Sequence, residues 1–184
     1  MTLNVQMTDL ELAHACIEGR KDTQKKVYAQ HARLMMSICL RYARNRQEAE
    51  DIFQDGFIKA FERMNQYSGS GPLGGWIRMI MVNTAINHIR ANQKWKHTED
   101  IEAAEKLDGE DVGALENMSA GELMDLVQRM PTGYKTVFNL FAIEGFAHKE
   151  IAEQLGVTEN TSKTQFFKAR RWLKKQLETI SRTA

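Results

Sequence analysis

One segment limits what this chain can fold into. Between two blocks patterned for helices lies KWKHTEDIEAAEKLDGEDVGALENMSAGE, residues 94–122, which is poor in large apolar residues and has no sustained helical stripe. Such a stretch buries too little surface to offset the entropy of ordering it. A single core running through all 184 residues is therefore excluded. The pattern predicts two small domains, 1–96 and 119–184, joined by an acidic flexible linker over 97–118. Charge follows the same division. Residues 1–93 hold 12 Lys and Arg against 9 Asp and Glu, residues 94–122 hold 3 against 9, and residues 123–184 hold 10 against 6. Blocks of +3 and +4 thus flank one of −6, a pattern that the overall charge of +1 conceals.

Both blocks repeat their apolar residues at helical spacing, with almost no strand alternation, so the expected fold class is all-α. A first helix starts at the capping box Thr8-Asp9-Leu10-Glu11, with Leu10, Leu12, Ala13 and Ile17 as its apolar face, and stops at Gly19. A second covers about 22–45, with Val27, Leu34, Ile38 and Tyr42 near one face; a third covers about 47–65. The tract YSGSGPLGG (67–75) separates it from a fourth helix that runs from about Trp76 into the early 90s. In the second block, Ser119 and Glu122 open a helix that ends before Pro131. Others are expected over about 133–144, stopping at Gly145, over about 148–155, and from Thr158 onward.

Several function classes drop out. No run approaches the roughly 18 apolar residues of a membrane span, so direct membrane insertion is not expected. The opening MTLNVQMTDLELAHACIEGR has no basic segment followed by an apolar run, which points to a cytoplasmic protein. Cys16 and Cys39 fit neither a disulfide framework nor a metal or redox pair, and two buried thiols are expected. His14, His31, His88, His97 and His148 form no ligand or triad spacing, so no enzyme activity, metal or cofactor is expected.

The C-terminal block carries the clearest pattern, FAHKEIAEQLGVTENTSKTQFFKARRWLKKQL. Ile151, Ala152 and Leu155 face inward on a short helix. Gly156 supplies the left-handed turn, Val157 plugs it, and Thr158 caps the next helix. This is a helix-turn-helix arrangement, whose second helix enters the DNA major groove. That helix offers Glu159, Asn160, Lys163, Thr164, Phe167 and Lys168 as exposed positions, with Arg170, Arg171, Lys174 and Lys175 following for phosphates.

In the N-terminal block, Glu48, Asp51 and Asp55 recur at i, i+3 and i+7 beside Gln54, a carboxylate stripe in an otherwise basic block, which suits a basic protein partner. Further on, Asn83, Asn87 and Arg90 fall at i, i+4 and i+7. Amides and a guanidinium on one helix face hydrogen-bond base edges, while Tyr67 and Trp76 beside the glycine-rich tract can stack on bases.

AEDIFQDGFIKAF (49–61), followed by Trp76-Ile-x-x-Ile-x-x-Asn83-Thr84, resembles the second conserved region of bacterial RNA polymerase sigma factors of the extracytoplasmic-function (ECF) group of the sigma-70 family. Met130-Pro131-x-x-Tyr134-x-x-Val137, Glu150-Ile151-Ala152 and the stretch from Thr161 to Arg170 resemble the fourth. The resemblance spans about 8–95 and 119–178. It implies that Asp51, Gln54 and Asp55 dock on the clamp helices of the largest subunit of core RNA polymerase, and that the C-terminal block meets the flap. It implies that Asn83, the 67–75 loop and the following helix, with Tyr67, Trp76, Asn87 and Arg90, read and open the promoter −10 element. Lys163, Thr164, Phe167, Lys168 and Arg171 are implied to face the −35 element. An anti-sigma factor is a further partner common in that group. Two departures stand out. Leu73, Gly74 and Gly75 replace larger residues in the loop, and Gln165 replaces an arginine, which removes a phosphate contact expected there. The rival reading is a stand-alone helix-turn-helix regulator with an N-terminal helical partner-binding domain. It predicts a dimer on a palindromic site, and no heptad seam supports it.

Overall fold

The computed structural model describes residues 7–91 and 120–181. The expected linker and the capping residue Ser119 lie outside the described residues. Every element among the described residues is helical. The chain divides into two compact units, Met1–His88 and Ile89–Ala184.

In the first unit, α1 (Asp9–Ile17) begins with the expected capping box: the Glu11 N–H donates to Thr8 Oγ1 while Glu11 accepts from the Thr8 N–H. Gly19, at φ +79°, lets the chain turn into α2 (Lys21–Tyr42). α3 (Arg46–Glu62) is capped by Asn45 and ends in a 3₁₀ turn, Met64–Gln66, on which α1 rests. α4 (Leu73–Ala91) completes the unit, its last three residues running past the His88 boundary. Val27, Met35, Ile38, Tyr42, Ile52, Met64, Leu73, Ile77, Met81 and Val82 are all but fully buried. Each contributes about 1.5–3 kcal/mol of transfer free energy. α3 and α4 pass so closely that a Cβ at Gly56 would overlap Met81 Sδ. The same sulfur lies 4.0 Å from Cys39 Sγ. Both cysteines are free and buried as expected, and burial pushes the Cys39 thiol up to about 12.

Three expectations about these faces are corrected. Leu10 and Ile17 are exposed, and α1 instead buries Leu12, Ala13, Ala15 and Cys16. Leu34 also points outward on α2. α4 starts at Leu73, three residues before Trp76, because the Leu73 N–H finds an acceptor in Asp9 of α1.

The second unit is built around α8 (Glu159–Ser181), against which α5 (Ala120–Arg129), α6 (Thr132–Phe138) and α7 (His148–Leu155) all pack. Leu126, Val127 and Met130 meet Ala169, Leu173 and Leu177 in its core, flanked by Tyr134, Phe138 and Trp172. The expected single helix over 133–144 is two pieces. After α6 the backbone widens into a π-helical turn, Asn139–Ile143, with the Glu144 N–H reaching back to the Asn139 carbonyl at 2.9 Å. That extra residue brings Phe138 and Phe141 together onto Phe166 of α8.

Candidate partner and nucleic-acid interfaces

On α3, Asp51, Gln54 and Asp55 are exposed on one side of the helix, and the two carboxylates have no ion-pair partner among the described residues. Ile58, 55% exposed, continues this face at i+7 from Asp51, an apolar member that the charge pattern alone does not single out. Glu48 does not belong to it. The structure turns its carboxylate inward, where it accepts from the Arg44 backbone N–H at 2.6 Å and the Arg44 Nε at 3.0 Å. It also lies 3.2 Å from His88 Nε2 of α4. Burial by itself would raise the Glu48 carboxyl. Hydrogen bonds from the Arg44 side chain and backbone, with the charges of Arg44 and His88, outweigh this and hold it below the usual carboxylate range. Glu48 therefore locks α3 to α4, and Asp51, Gln54, Asp55 and Ile58 are left as the exposed face.

α4 presents a continuous outer stripe. Asn83, Asn87 and Arg90 are exposed as expected, and Met79, 42% exposed, extends the stripe one turn toward Gly75. From Gly75 to Arg90 this covers about 22 Å at the usual helical rise. The opposite face buries Ile77, Met81, Val82, Ala85, Ile86 and Ile89. His88 sits beside Asn87 and ties the stripe to the inward-turned Glu48, a contact that helps set the rotation of α4 about its axis.

At the start of α4 the aromatic residues divide. Tyr67 is buried, and its hydroxyl donates to the Gly71 carbonyl, closing the Ser68–Gly71 loop from within. Trp76 is half-buried, with its ring centroid 5.7 Å from that of Tyr67. Tyr67 thus braces the loop and Trp76, and Trp76 is the ring that remains partly accessible for stacking.

The helix-turn-helix has the expected parts. Ile151, Ala152 and Leu155 are buried, and Gly156 takes the left-handed conformation at φ +69° with its N–H on the Ala152 carbonyl. Thr158 Oγ1 accepts the Thr161 N–H at 3.0 Å, capping α8. Lys163 and Arg171 are exposed, while Thr164, Phe167 and Lys168 are half-buried along the same helix. Lys163 pairs with Glu159 at 2.7 Å, one turn earlier. Gln165 is only 3% exposed. The replacement of arginine there does not remove a surface cation, because this position faces inward.

One residue that sequence reasoning missed is His148, the first residue of α7. Its ring stacks on Phe141 with centroids 4.3 Å apart and planes 11° from parallel, and its Nδ1 lies 2.9 Å from Oγ of the fully buried Ser162. This contact fastens α8 to α7 two turns before Lys168. Burial lowers the His148 imidazole below its ordinary value, and the Lys163 charge lowers it further against an opposing pull from Glu159.

Comparison with known proteins gives matches at both units. Residues 27–95 match the Sigma-70 region 2 family and residues 120–173 the Sigma-70, region 4 family. The ECF RNA polymerase sigma-E factor of Haemophilus influenzae is 28% identical over 186 residues, covering 95% of this chain and 98% of its own length. The RNA polymerase sigma-H factor of Pseudomonas aeruginosa is 25% identical over 190 residues, covering 97% and 98%. Among solved structures, the sigma factor RpoE of Bartonella quintana, determined in complex with the anti-sigma factor NepR, shares the fold. Its TM-score is 0.50 at 16% identity, covering 84% of this chain and 96% of that one.

Proposed function

The chain belongs to the sigma-70 family, and we propose from that premise a division of labour between its two units. It is a sigma factor of the ECF group, binding core RNA polymerase and directing promoter-specific transcription initiation. The observation that carries this is the presence of both sigma regions in order, each on a compact helical unit. Residues 1–96 form the docking and −10 domain, 97–118 the linker, and 119–184 the −35 domain. Asp51, Gln54 and Asp55, exposed and joined by Ile58, form the face that meets the polymerase clamp. The stripe Asn83, Asn87 and Arg90, with Trp76 and the loop braced by Tyr67, reads and opens the −10 element. Unstacking a base there costs a few kcal/mol, offset by stacking and hydrogen bonds in the pocket. Lys163, Thr164, Phe167, Lys168 and Arg171 face the −35 element.

The protein acts as a non-catalytic specificity subunit in the cytoplasm. No helix among the described residues is long and apolar enough to cross a membrane. The solved relative bound to an anti-sigma factor supports sequestration by such a partner as a means of control. Net charges of only +3 and +4 on the two blocks leave little counterion-release affinity for free DNA. Polymerase makes the pair effective by holding both readers on one promoter. Titration of the purified protein against core polymerase, and separately against promoter duplex at physiological salt, tests this. Tight complex formation with polymerase and weak binding to free duplex are expected; the reverse pattern would favour the stand-alone regulator.

A further inference from the structure

The loop between the 3₁₀ turn and α4 is held from outside as well as from within, and the outside contacts come from two helices that carry none of the proposed DNA-facing residues. Asp9, in the first turn of α1, accepts the Leu73 backbone N–H through Oδ2 at 2.8 Å. This hydrogen bond joins residues 64 positions apart. Leu73 is the first residue of α4 and follows Pro72, which has no N–H to offer. Asp9 therefore supplies the carboxylate that a helix N-terminus favours, on a donor with no partner inside its own helix. The neighbouring Leu10 lies over the loop itself. A Cβ at Gly69 would stand 3.2 Å from Leu10 Cδ1, and Gly69 holds φ at +74°, where side chains are disfavoured. On the far side, His31 of α2 fills the space above Gly74, with its Cε1 2.9 Å from where a Cβ would be.

These contacts also account for the small residues of the tract. Gly69 and Gly74 leave room for Leu10 and His31, while Leu73 is driven fully into the core beneath Asp9. They also give Leu10, which points away from the core residues of α1, a contact in the loop. Tyr67, closing the loop through Gly71, completes a ring of restraints around five residues of backbone.

We infer that Asp9 and Leu10 of α1 are positioning residues for the base-reading loop, holding residues 68–73 in the shape that accepts an unstacked −10 base. This rests on the proposed role of the loop. α1 contributes no group to the DNA. It removes the entropy that a free glycine-rich loop would lose on capturing a base.

The test uses holoenzymes assembled from core polymerase and full-length chains, run on a library of genomic fragments with transcript starts mapped and open-complex lifetimes measured. Asp9→Ala is expected to flatten the base preference of the −10 element and shorten open-complex lifetime about fivefold, the factor that loss of one typical helix cap gives. Its core-polymerase affinity and −35 preference stay as in the wild type. Asp9→Asn, which keeps an acceptor oxygen, restores the −10 preference, and Leu10→Ala shifts it in the same direction by less. An unchanged −10 preference in Asp9→Ala overturns the inference. So does equal loss of −10 and −35 preference, which would make Asp9 a general stability residue. Replacing residues 68–71 by alanine separates the two levels. If that change leaves the −10 preference intact, the loop does not read bases and the underlying reading fails. If it flattens the preference while Asp9→Ala does not, the positioning role alone is wrong.

Discussion

On the proposed function, the two units solve one problem, holding a DNA-reading helix in place, with different charge chemistry. In the N-terminal unit the reading helix α4 presents neutral amides and one guanidinium, and it is fastened by an ionised carboxylate, Glu48, between Arg44 and His88. In the C-terminal unit the reading helix α8 is cationic, and it is fastened by an imidazole stacked on Phe141 and bonded to Ser162. A carboxylate near α4 adds no charge conflict, because the stripe it supports carries a single cation. A protonated imidazole next to Lys163 would add to a cationic face, so the second fastening works best neutral. Each fastening thus suits the charge of the surface above it.

The largest effect that sharpens this contrast is on Glu48. Glu48→Ala removes the acceptor that Arg44 and His88 share and destabilises the N-terminal unit by about 2 kcal/mol, in the range for losing hydrogen bonds to a charged group. Urea unfolding followed at separate probes in each unit measures it. A shift in the N-terminal transition alone is expected, and a matching shift in the C-terminal one would mean the units are not independent.

Asp51→Arg comes next, because it changes the proposed docking face without touching the core. Core-polymerase affinity falls about tenfold or more while helical content is unchanged, as expected when like charges meet across an interface. A fluorescence titration decides it, and unchanged affinity removes Asp51 from the docking face. Lys163→Ala acts on the other unit. It lowers promoter use about fivefold, the loss of one modest base or phosphate contact, and only where a −35 element is present. Equal loss on promoters without that element would count against the assignment.

The smallest effect is the pH response, where the two fastenings part company. His148 has a folded-state value below the ordinary 6.5, so its contribution is fully present above 6.5 and is lost as pH falls through the lowered value. Glu48 is held below the ordinary 4.5, so its contribution persists until the solution is more acid than that. Thermal melts between pH 7 and pH 4 should loosen the C-terminal unit first. Loss of the N-terminal unit first would reverse the assignment of the two fastenings.

What the sequence made legible was local. Thr8 with Glu11, Gly156 with Thr158, and the buried set Ile151, Ala152 and Leu155 act within one turn or across a single tight turn, and all lie where their spacing indicated. The exposed residues Asp51, Asp55, Asn83 and Asn87 were readable for the same reason, since helical periodicity fixes which residues share a face. What escaped depends on partners distant in sequence. Glu48 has the spacing of the surface stripe, and it is drawn inward by Arg44 together with His88, forty residues on. The start of α4 at Leu73 is met by Asp9, and Leu10 finds its contact at Gly69. His148 looked like a lone histidine because Phe141 reaches it only through a π-helical turn that periodicity does not signal.

On the proposed function, two modest readers become one promoter-recognition device when polymerase holds them. The most direct measurement mixes the purified chain with bacterial core RNA polymerase on genomic fragments and maps every transcript start. A stoichiometric complex is expected, with discrete new starts that share two short elements at constant spacing, one lost with changes at Asn83 and the other with changes at Lys163. A chain that forms no complex with core, or leaves the pattern of starts as core polymerase alone gives it, would not be acting as a sigma factor.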